Sequence, residues 1–500
     1  MGPSGGRPRP EGGHRTVTET QARPPKSPSS PPAGSGSALD RFFDLSGRGT
    51  TVARELRGGI TTFVAMAYLV VLIPLIIGDA KDVTGAKLDP AQLTTMVALS
   101  AGLTTILMGV VGNAPLAMAA GLGVTPIVVF QAAPHMTWPQ AMGLVVLEGV
   151  IIVLFALTGI RTLIMDAIPL AIKQAIGVGI GAFIALIGLV DAGFVGHHET
   201  ASTAVGLGVF GKLAGWPVAV FCAGLVLMLV LFIRRVPGAM LISIVATTVL
   251  AIVIDKVATV NPKLWGPVEP KVPDKIIATP DFGLMFKVDL FGGFERAGVV
   301  TASVVLFTLV LSGFFDAMGT ILGVGEEAGM LDEKGKLPGL NKILTVDGFG
   351  AIVGGGINGS ANTAVVESAA GVAEGARTGL ASVFTGVLLT ALIFLTPLAG
   401  VIPIGAAAPA LVIVGALMMS HARKIDWEDL EVAIPAFLVI VLMPFTYSIT
   451  NGVAAGVLAF TLLKIAKGKF AEIHWLNYVL SVVFVAYFAL HPIEEALGIK

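Results

Sequence analysis

Charge, cysteine and histidine are all scarce in this chain of 500 residues. Asp, Glu, Lys and Arg together account for 13% of it, about half the fraction found in soluble globular domains. The single cysteine, Cys222, excludes an intrachain disulfide framework. Neither HExxH nor GxSxG occurs in an apolar run, and no histidine is paired with an acid inside one. We therefore expect no enzyme activity, no metal site and no cofactor, and the formal net charge of −1 indicates no nucleic-acid partner.

Long apolar runs dominate the rest of the sequence. Hydrophobic residues make up 55% of the chain, and the mean hydropathy is +0.87. Many runs approach about 20 residues, the length that an α-helix needs to cross a hydrocarbon core of roughly 30 Å. The pattern predicts an all-α polytopic membrane protein of the cell (plasma) membrane, surrounded by the lipid bilayer.

We predict about 14 transmembrane segments, seven on each side of a polar stretch at 257–298. The segments are 59–78, 93–112, 114–132, 139–159, 168–193, 216–233, 237–256, 299–325, 343–358, 361–375, 379–398, 403–421, 431–448 and 451–466. A further apolar segment, 475–490, has aromatic residues near both ends, and we expect the C-terminal part, 470–500, to lie in the membrane interface.

The basic residues predict the orientation. Residues 1–38 are rich in Pro, Gly, Ser and Arg, so we expect a disordered cytoplasmic tail. With this end inside, most basic turns also lie on the cytoplasmic side. The stretch 257–298 is then extracellular, although its lysines fit that side poorly. Because two halves with an odd number of segments are inverted relative to each other, an internal duplication would be a 7+7 inverted repeat.

Two of the predicted segments are too interrupted to be ordinary spans. Segments 114–132 and 361–375 are short and contain glycine, proline or small polar residues at corresponding places in the two halves. Such pairs are typical of the substrate site of secondary transporters built from repeats. We predict a half-helix in each, because the free N–H groups at a helix start suit a carbonyl or ring nitrogen of a ligand.

Two acidic residues are predicted to lie within the hydrocarbon core of the membrane. Asp316 is the only charge between Val299 and Gly325, and Glu367 lies in the second interrupted segment. An ionised acid at that depth costs at least ~2.5–3.5 kcal/mol, so it is rarely retained without a polar cavity, a partner or a function. A carboxylate accepts two N–H groups at once, which suits the flat, N–H-rich edge of a purine. We predict that these two acids bind the substrate.

The chain resembles the AzgA-like purine permeases in the motifs FFDAMGTILGV, ESAAGVAEGARTG, AAPALVIVGALMM and MPFTYSITNGVAAGV. These permeases belong to the nucleobase–cation symporters (the nucleobase:ascorbate transporter superfamily), and the resemblance runs from about Arg41 to Lys469. It implies proton-coupled import of adenine, guanine or hypoxanthine. It also implies a core domain that moves against a gate domain, and a possible homodimer. The core domain would comprise 59–160 and 299–398, and the gate domain 167–256 and 400–466.

The resemblance assigns roles to individual residues. Glu367 matches a substrate ligand, and Asp316 matches an acid that we assign to substrate contact and protonation, so both are proton-coupling candidates. Gly123 permits close backbone approach to a flat ring, Thr125 offers a hydroxyl, and Phe315 offers a stacking face. Ser368, next to Glu367, completes the predicted substrate-binding set.

Three departures from the family pattern leave the substrate open. Gly313 stands where relatives usually have a second acid, Thr125 replaces an asparagine, and the first span has Ile73-Pro74 in place of Asn-Pro. The choice of purine and the proton stoichiometry therefore remain open, and so does a carrier of the same fold for xanthine, uracil or an anion such as sulfate. Two acids in the site disfavour an anion. A channel is disfavoured because no repeated pore motif is present.

Four other charges in or near the spans have simpler explanations. We expect Glu148 to brace the core through hydrogen bonds, and Asp347 to cap or orient the start of a half-helix. Lys173 and Arg377 lie near predicted cytoplasmic ends, where long basic side chains reach the headgroups.

Overall fold

The computed structural model of the chain describes residue 2 and residues 37–158, 169–196, 205–208, 211–266, 268–332 and 337–496. Nearly all of the predicted tail, 1–38, lies outside these ranges. The elements of the first half are α1 (Ala38–Phe43), α2 (Val52–Met66), α3 (Leu69–Asp79), α4 (Pro90–Leu107), a π-helix (Met108–Gly112), β1 (Met118–Ala120), α5 (Thr125–Ile127), a second π-helix (Val128–Ala132), α6 (Trp138–Thr158), α7 (Leu170–Asp191), β2 (Val195–Gly196), β3 (Gly206–Leu207), α8 (Trp216–Ile233) and α9 (Ala239–Ala258).

The second half is also helical. Its elements are a 3-10 helix (Pro262–Trp265), α10 (Gly292–Arg296), α11 (Val299–Glu327), α12 (Leu340–Gly356), β4 (Asn362–Ala364), α13 (Ser368–Ala373), α14 (Gly379–Ala391), a 3-10 helix (Leu392–Leu395), α15 (Thr396–Ala399), α16 (Ile404–Met419), a 3-10 helix (Ser420–Lys424), α17 (Leu430–Phe445), α18 (Ile449–Ala466), a 3-10 helix (Phe470–Glu472) and α19 (Trp475–Ala496).

Among the described residues, ten helical stretches are long and apolar enough to cross a membrane. They are Val52–Asp79, Pro90–Gly112, Trp138–Thr158, Leu170–Asp191, Trp216–Ile233, Ala239–Ala258, Val299–Glu327, Gly379–Ala399, Ile404–Lys424 and Ile449–Ala466. The predicted helical membrane architecture is thereby confirmed. The other four predicted segments correspond to the shorter helices α12 and α17 and to the two interrupted stretches.

The two interrupted stretches meet in an antiparallel strand pair. Met118 of β1 stands opposite Ala364 of β4, and Ala120 stands opposite Asn362. All three residues of each strand are buried, so pairing satisfies backbone groups that would otherwise lack partners away from water. Each strand is followed within a few residues by a short helix, α5 after β1 and α13 after β4. Because the strands are antiparallel, the two helices begin beyond opposite ends of the strand pair.

Glycines allow the longest helices to approach each other closely. A methyl group placed at Gly149 of α6 would lie 2.6 Å from the carbonyl oxygen of Gly348 of α12. A methyl group at Gly181 of α7 would lie 2.7 Å from the carbonyl oxygen of Gly415 of α16. Small residues at such crossings let membrane helices pack closely. Close packing is needed because lipid provides no hydrophobic driving force for helix association. The many glycines of this sequence are thus explained by packing as well as by helix breaks.

A buried carboxylate joins α2 to the start of α14. Glu55 is fully buried, and its oxygens accept backbone N–H groups from Arg377 at 2.8 Å, Thr378 at 3.3 Å and Ala381 at 3.2 Å. The first turn of a helix has free N–H groups, so an acid from a neighbouring helix satisfies them and is stabilised by the positive end of the dipole.

Replacing Glu55 by Ala is expected to destabilise the protein. The substitution leaves buried N–H groups without acceptors, at about 1–3 kcal/mol for such a group. Thermal unfolding in detergent, followed by intrinsic fluorescence, should show a lower midpoint for Glu55→Ala than for Glu374→Ala, in which only an exposed ion pair with Arg57 is lost. Equal midpoints for the two variants would show that the Glu55 contacts contribute little.

Candidate functional site

The structure brings the two predicted acids into one region. Asp316 lies within α11 and Glu367 immediately precedes α13; both side chains are half-buried and interact electrostatically. Asp316 also adjoins the loop between β1 and α5, since a methyl group at Gly123 would lie 3.6 Å from Asp316 Oδ2. Ser312, one turn earlier on α11, donates a hydrogen bond from its hydroxyl to the carbonyl oxygen of Gly123 at 3.1 Å. Asp316, Glu367 and Gly123 therefore lie in one region of the structure.

A tyrosine that sequence reasoning missed holds one of the acids. Tyr68, fully buried where α2 meets α3, donates a hydrogen bond from its hydroxyl to Glu367 Oε1 at 2.6 Å. Such a short bond to a carboxylate is typical of the stronger, charge-assisted class. It fixes the direction of the Glu367 carboxyl group and leaves Oε2 for another donor. The sequence does not single out Tyr68, because all four tyrosines lie in predicted apolar segments.

Replacing Tyr68 by Phe is expected to weaken substrate binding about tenfold, because a hydrogen bond to a charged group contributes about 1.5–3 kcal/mol. The phenyl ring keeps the packing and removes only the hydroxyl. The readout is the half-saturation concentration for purine-base uptake by cells that express the variant. The matched control is Tyr478→Phe, whose hydroxyl donates to the Phe470 carbonyl at the protein surface. An unchanged half-saturation concentration in Tyr68→Phe would remove Tyr68 from the site.

Two predicted substrate contacts have hydroxyl groups that are already engaged. The Ser368 hydroxyl donates to the Val365 carbonyl at 2.7 Å and accepts the Ala117 N–H at 2.9 Å. The Thr125 hydroxyl lies 3.1 Å from that of Ser360. Both Ser368 and Thr125 are fully buried. These contacts support the strand crossover and the starts of the short helices, and direct substrate contact by the two hydroxyls stays a prediction.

The remaining residues singled out in the sequence line the surroundings of the site. Phe315 is half-buried, packs edge-on against Phe314 and has Lys173 Nζ of α7 at 5.5 Å from its ring centroid. Asp347 of α12 accepts from the Thr363 hydroxyl at 3.0 Å and the Ala364 N–H at 2.9 Å, so it holds β4 in place. Lys173 therefore contacts a predicted stacking residue, which headgroup contact alone does not explain.

The arrangement suits a neutral ligand that is rich in N–H donors. Two half-buried carboxyl groups face the same region, and the starts of two short helices stand beside them. The N–H groups of Thr125 and Ser368 at those starts already donate to backbone carbonyl oxygens, so the free N–H groups expected from the sequence are not observed there. An anion placed there would be repelled by both acids. Within the part of the chain that the structure describes, no group of three or more His, Cys, Asp or Glu residues is placed to hold a metal ion.

Comparison with known sequences finds transport proteins along nearly the whole chain. A family model described as Permease family (Xan_ur_permease) matches residues 53–455. The chain is 35% identical over 462 residues to the guanine/hypoxanthine permease PbuG of Bacillus subtilis (strain 168), covering 90% of this chain and 99% of that protein. It is 34% identical over 451 residues to the adenine permease AdeQ of Escherichia coli (strain K12), covering 89% of this chain and 95% of that protein.

Comparison with solved structures finds the same fold in proteins of low sequence identity. The transmembrane domain of a cyanobacterium bicarbonate transporter, BicA, gives a TM-score of 0.59 at 16% identity and covers 81% of this chain and 97% of that one. The structure of SLC26A9 gives a TM-score of 0.56 at 12% identity and covers 83% of this chain and 66% of that one. At these identities the similarity shows a common fold.

Proposed function

We propose that this chain, which belongs to the Permease family, is a proton-coupled symporter that imports purine nucleobases (guanine, hypoxanthine or adenine). The observation that carries the proposal is the convergence of Asp316 and Glu367 on one half-buried site beside two short helices. The names of the relatives, guanine/hypoxanthine permease and adenine permease, support the substrate class.

The chemistry of the two acids fits a purine. Each ionised carboxyl group accepts hydrogen bonds and donates none, and a purine edge presents adjacent N–H groups. With Oε1 of Glu367 bound to Tyr68, the free Oε2 and the carboxyl of Asp316 form a pair of acceptors in a partly dehydrated place. Neighbouring acids away from water also readily exchange protons, which suits coupling to a proton gradient.

We further propose that all fourteen predicted segments cross the membrane as a 7+7 inverted repeat, with the N-terminus in the cytoplasm. The core domain would comprise 59–160 and 299–398, and the gate domain 167–256 and 400–466. One buried polar contact would then join core to gate. The hydroxyl of Thr450, at the start of α18, donates to Gln131 Oε1 and lies 3.1 Å from the Thr308 hydroxyl oxygen. Movement of the core against the gate would have to break this contact.

Uptake by reconstituted protein tests the proposal. Proteoliposomes loaded at higher pH than the bath should accumulate radiolabelled hypoxanthine above the bath concentration, and a protonophore should abolish the accumulation. Unlabelled adenine, guanine, xanthine and uracil added in turn would define the substrate. Equal accumulation with and without the pH gradient would exclude proton coupling, and accumulation blocked only by uracil or by sulfate would assign a different carrier on this fold.

A further inference from the structure

Glu148, of α6, differs from Glu55, Asp347 and Glu367 in lacking a hydrogen-bond donor among the described residues. Glu55 accepts three backbone N–H groups, Asp347 accepts two donors, and Glu367 accepts the Tyr68 hydroxyl. Glu148 is 1% exposed, and its Oε2 makes no hydrogen bond within the described part of the chain. A brace would use its oxygens as acceptors, so the expected structural role of Glu148 is not observed. A buried polar group without partners is costly and needs another explanation.

The position of Glu148 connects it to the substrate site. Its Oε1 occupies the space beside Gly313 of α11, where any side-chain carbon would collide with it. Gly313 lies three residues, or about one helical turn, before Asp316 on α11. Asp347 of α12 interacts electrostatically with both Glu148 and Asp316. Glu148 and Asp316 therefore share Asp347 as an acidic neighbour.

The charged groups around Glu148 are almost all acidic. The helices that pack on α6 are α10, α11 and α12. Their other charged residues within the described ranges are Glu295 and Arg296 on α10, Glu326 and Glu327 at the end of α11, and Lys342 in the first turn of α12. Asp347 is the charged group that interacts with Glu148, so no cation among the described residues holds this carboxyl group permanently ionised.

In proton symport, Asp316 would have to bind the base and carry the proton at the same time, which one carboxyl group cannot do. An ionised carboxyl group accepts hydrogen bonds with both oxygens, whereas a protonated one has turned one of them into a donor. While Asp316 accepts N–H groups of a bound purine it cannot also carry the co-transported proton. A second carboxyl group close behind it, buried and free of other hydrogen bonds, would resolve this conflict.

We propose that Glu148 carries the co-transported proton while Asp316 stays ionised and binds the base; this rests on the proton symport proposed above. A proton from water first binds Asp316. The O–H bond on Asp316 then breaks as an O–H bond forms on Glu148, and Asp316 is left as an ionised acceptor for the base. When the base leaves, the transfer reverses and the proton returns through Asp316 to water. One proton is moved per base, and no other reactant is needed.

The test is the number of protons taken up when base binds to purified protein. Hypoxanthine is added to the protein in weakly buffered detergent, and a pH indicator reports proton uptake while calorimetry reports binding. Wild type should take up about one proton per base bound. Glu148→Gln should bind hypoxanthine within about threefold of wild type and take up almost none, and Glu148→Asp, which still titrates, should keep the uptake. Glu326→Gln, an exposed acid at the end of α11, is the matched control.

The outcomes separate the two proposals. Proton uptake by Glu148→Gln equal to that of wild type would show that Glu148 is permanently neutral, and would overturn its role as carrier. Should Glu148→Gln fail to fold, loss of proton uptake in a Glu148→Asp protein that still binds hypoxanthine would also overturn it. Absence of proton uptake by wild type would contradict the proposed symport itself.

Discussion

Replacing Glu367 by Gln should abolish accumulation of purine base while the protein still reaches the membrane. The amide keeps an oxygen for the Tyr68 hydroxyl but puts an N–H₂ donor where the base presents its own N–H groups. Loss of a charge-assisted hydrogen bond, at about 1.5–3 kcal/mol, corresponds to about a 10- to 100-fold rise in the half-saturation concentration. Initial rates of labelled hypoxanthine or adenine uptake over a range of concentrations measure it.

The control for Glu367→Gln lies seven residues further on. Glu374, at the end of α13, is exposed and pairs with Arg57 at 3.3 Å. Glu374→Gln removes one negative charge from the same helix without touching the site, so its uptake should match that of wild type. Wild-type affinity in Glu367→Gln, with equal membrane levels of both variants, would mean that Glu367 does not bind the base.

Replacing Asp316 by Asn should remove the dependence of uptake on the proton gradient. Asparagine cannot take a proton from water, so accumulation driven by a pH gradient should fall to the level reached by simple equilibration. Base affinity should also fall, by about 10-fold or more, because one acceptor oxygen becomes a donor group. The measurement is steady-state accumulation in proteoliposomes with an imposed pH gradient, with Glu326→Gln as control on the same helix. Accumulation by Asp316→Asn at the wild-type level would exclude Asp316 from the coupling route.

Sequence alone predicted those candidate site residues that carry a charge inside an apolar segment. Asp316 and Glu367 were predicted because charge is costly in lipid. The structure places the two acids near each other, and their contact with substrate stays a prediction. Tyr68 could not be found in this way, since an aromatic residue in an apolar span is most often simply packed. The β1–β4 pair was also missed, because three-residue strands among glycines leave no recognisable period.

The transmembrane segments show the same limit of prediction from sequence. The ten helical stretches that are long and apolar enough to cross a membrane agree with predicted segments, but hydropathy alone does not tell how the interrupted segments pair. The C-terminal helix α19 packs against α11 and α18, with Phe484 buried and its ring 6.0 Å from that of Phe307. Whether this helix lies in the interface or crosses the bilayer depends on contacts with lipid, and its interfacial placement stays a prediction.

The shared acidic site is tested most directly by an experimental structure of the protein with hypoxanthine bound. The base should lie between α11 and the start of α13, with ring N–H groups within about 2.7–3.2 Å of carboxyl oxygens of both Asp316 and Glu367. A base bound elsewhere, or one that contacts neither carboxyl group, would contradict the site.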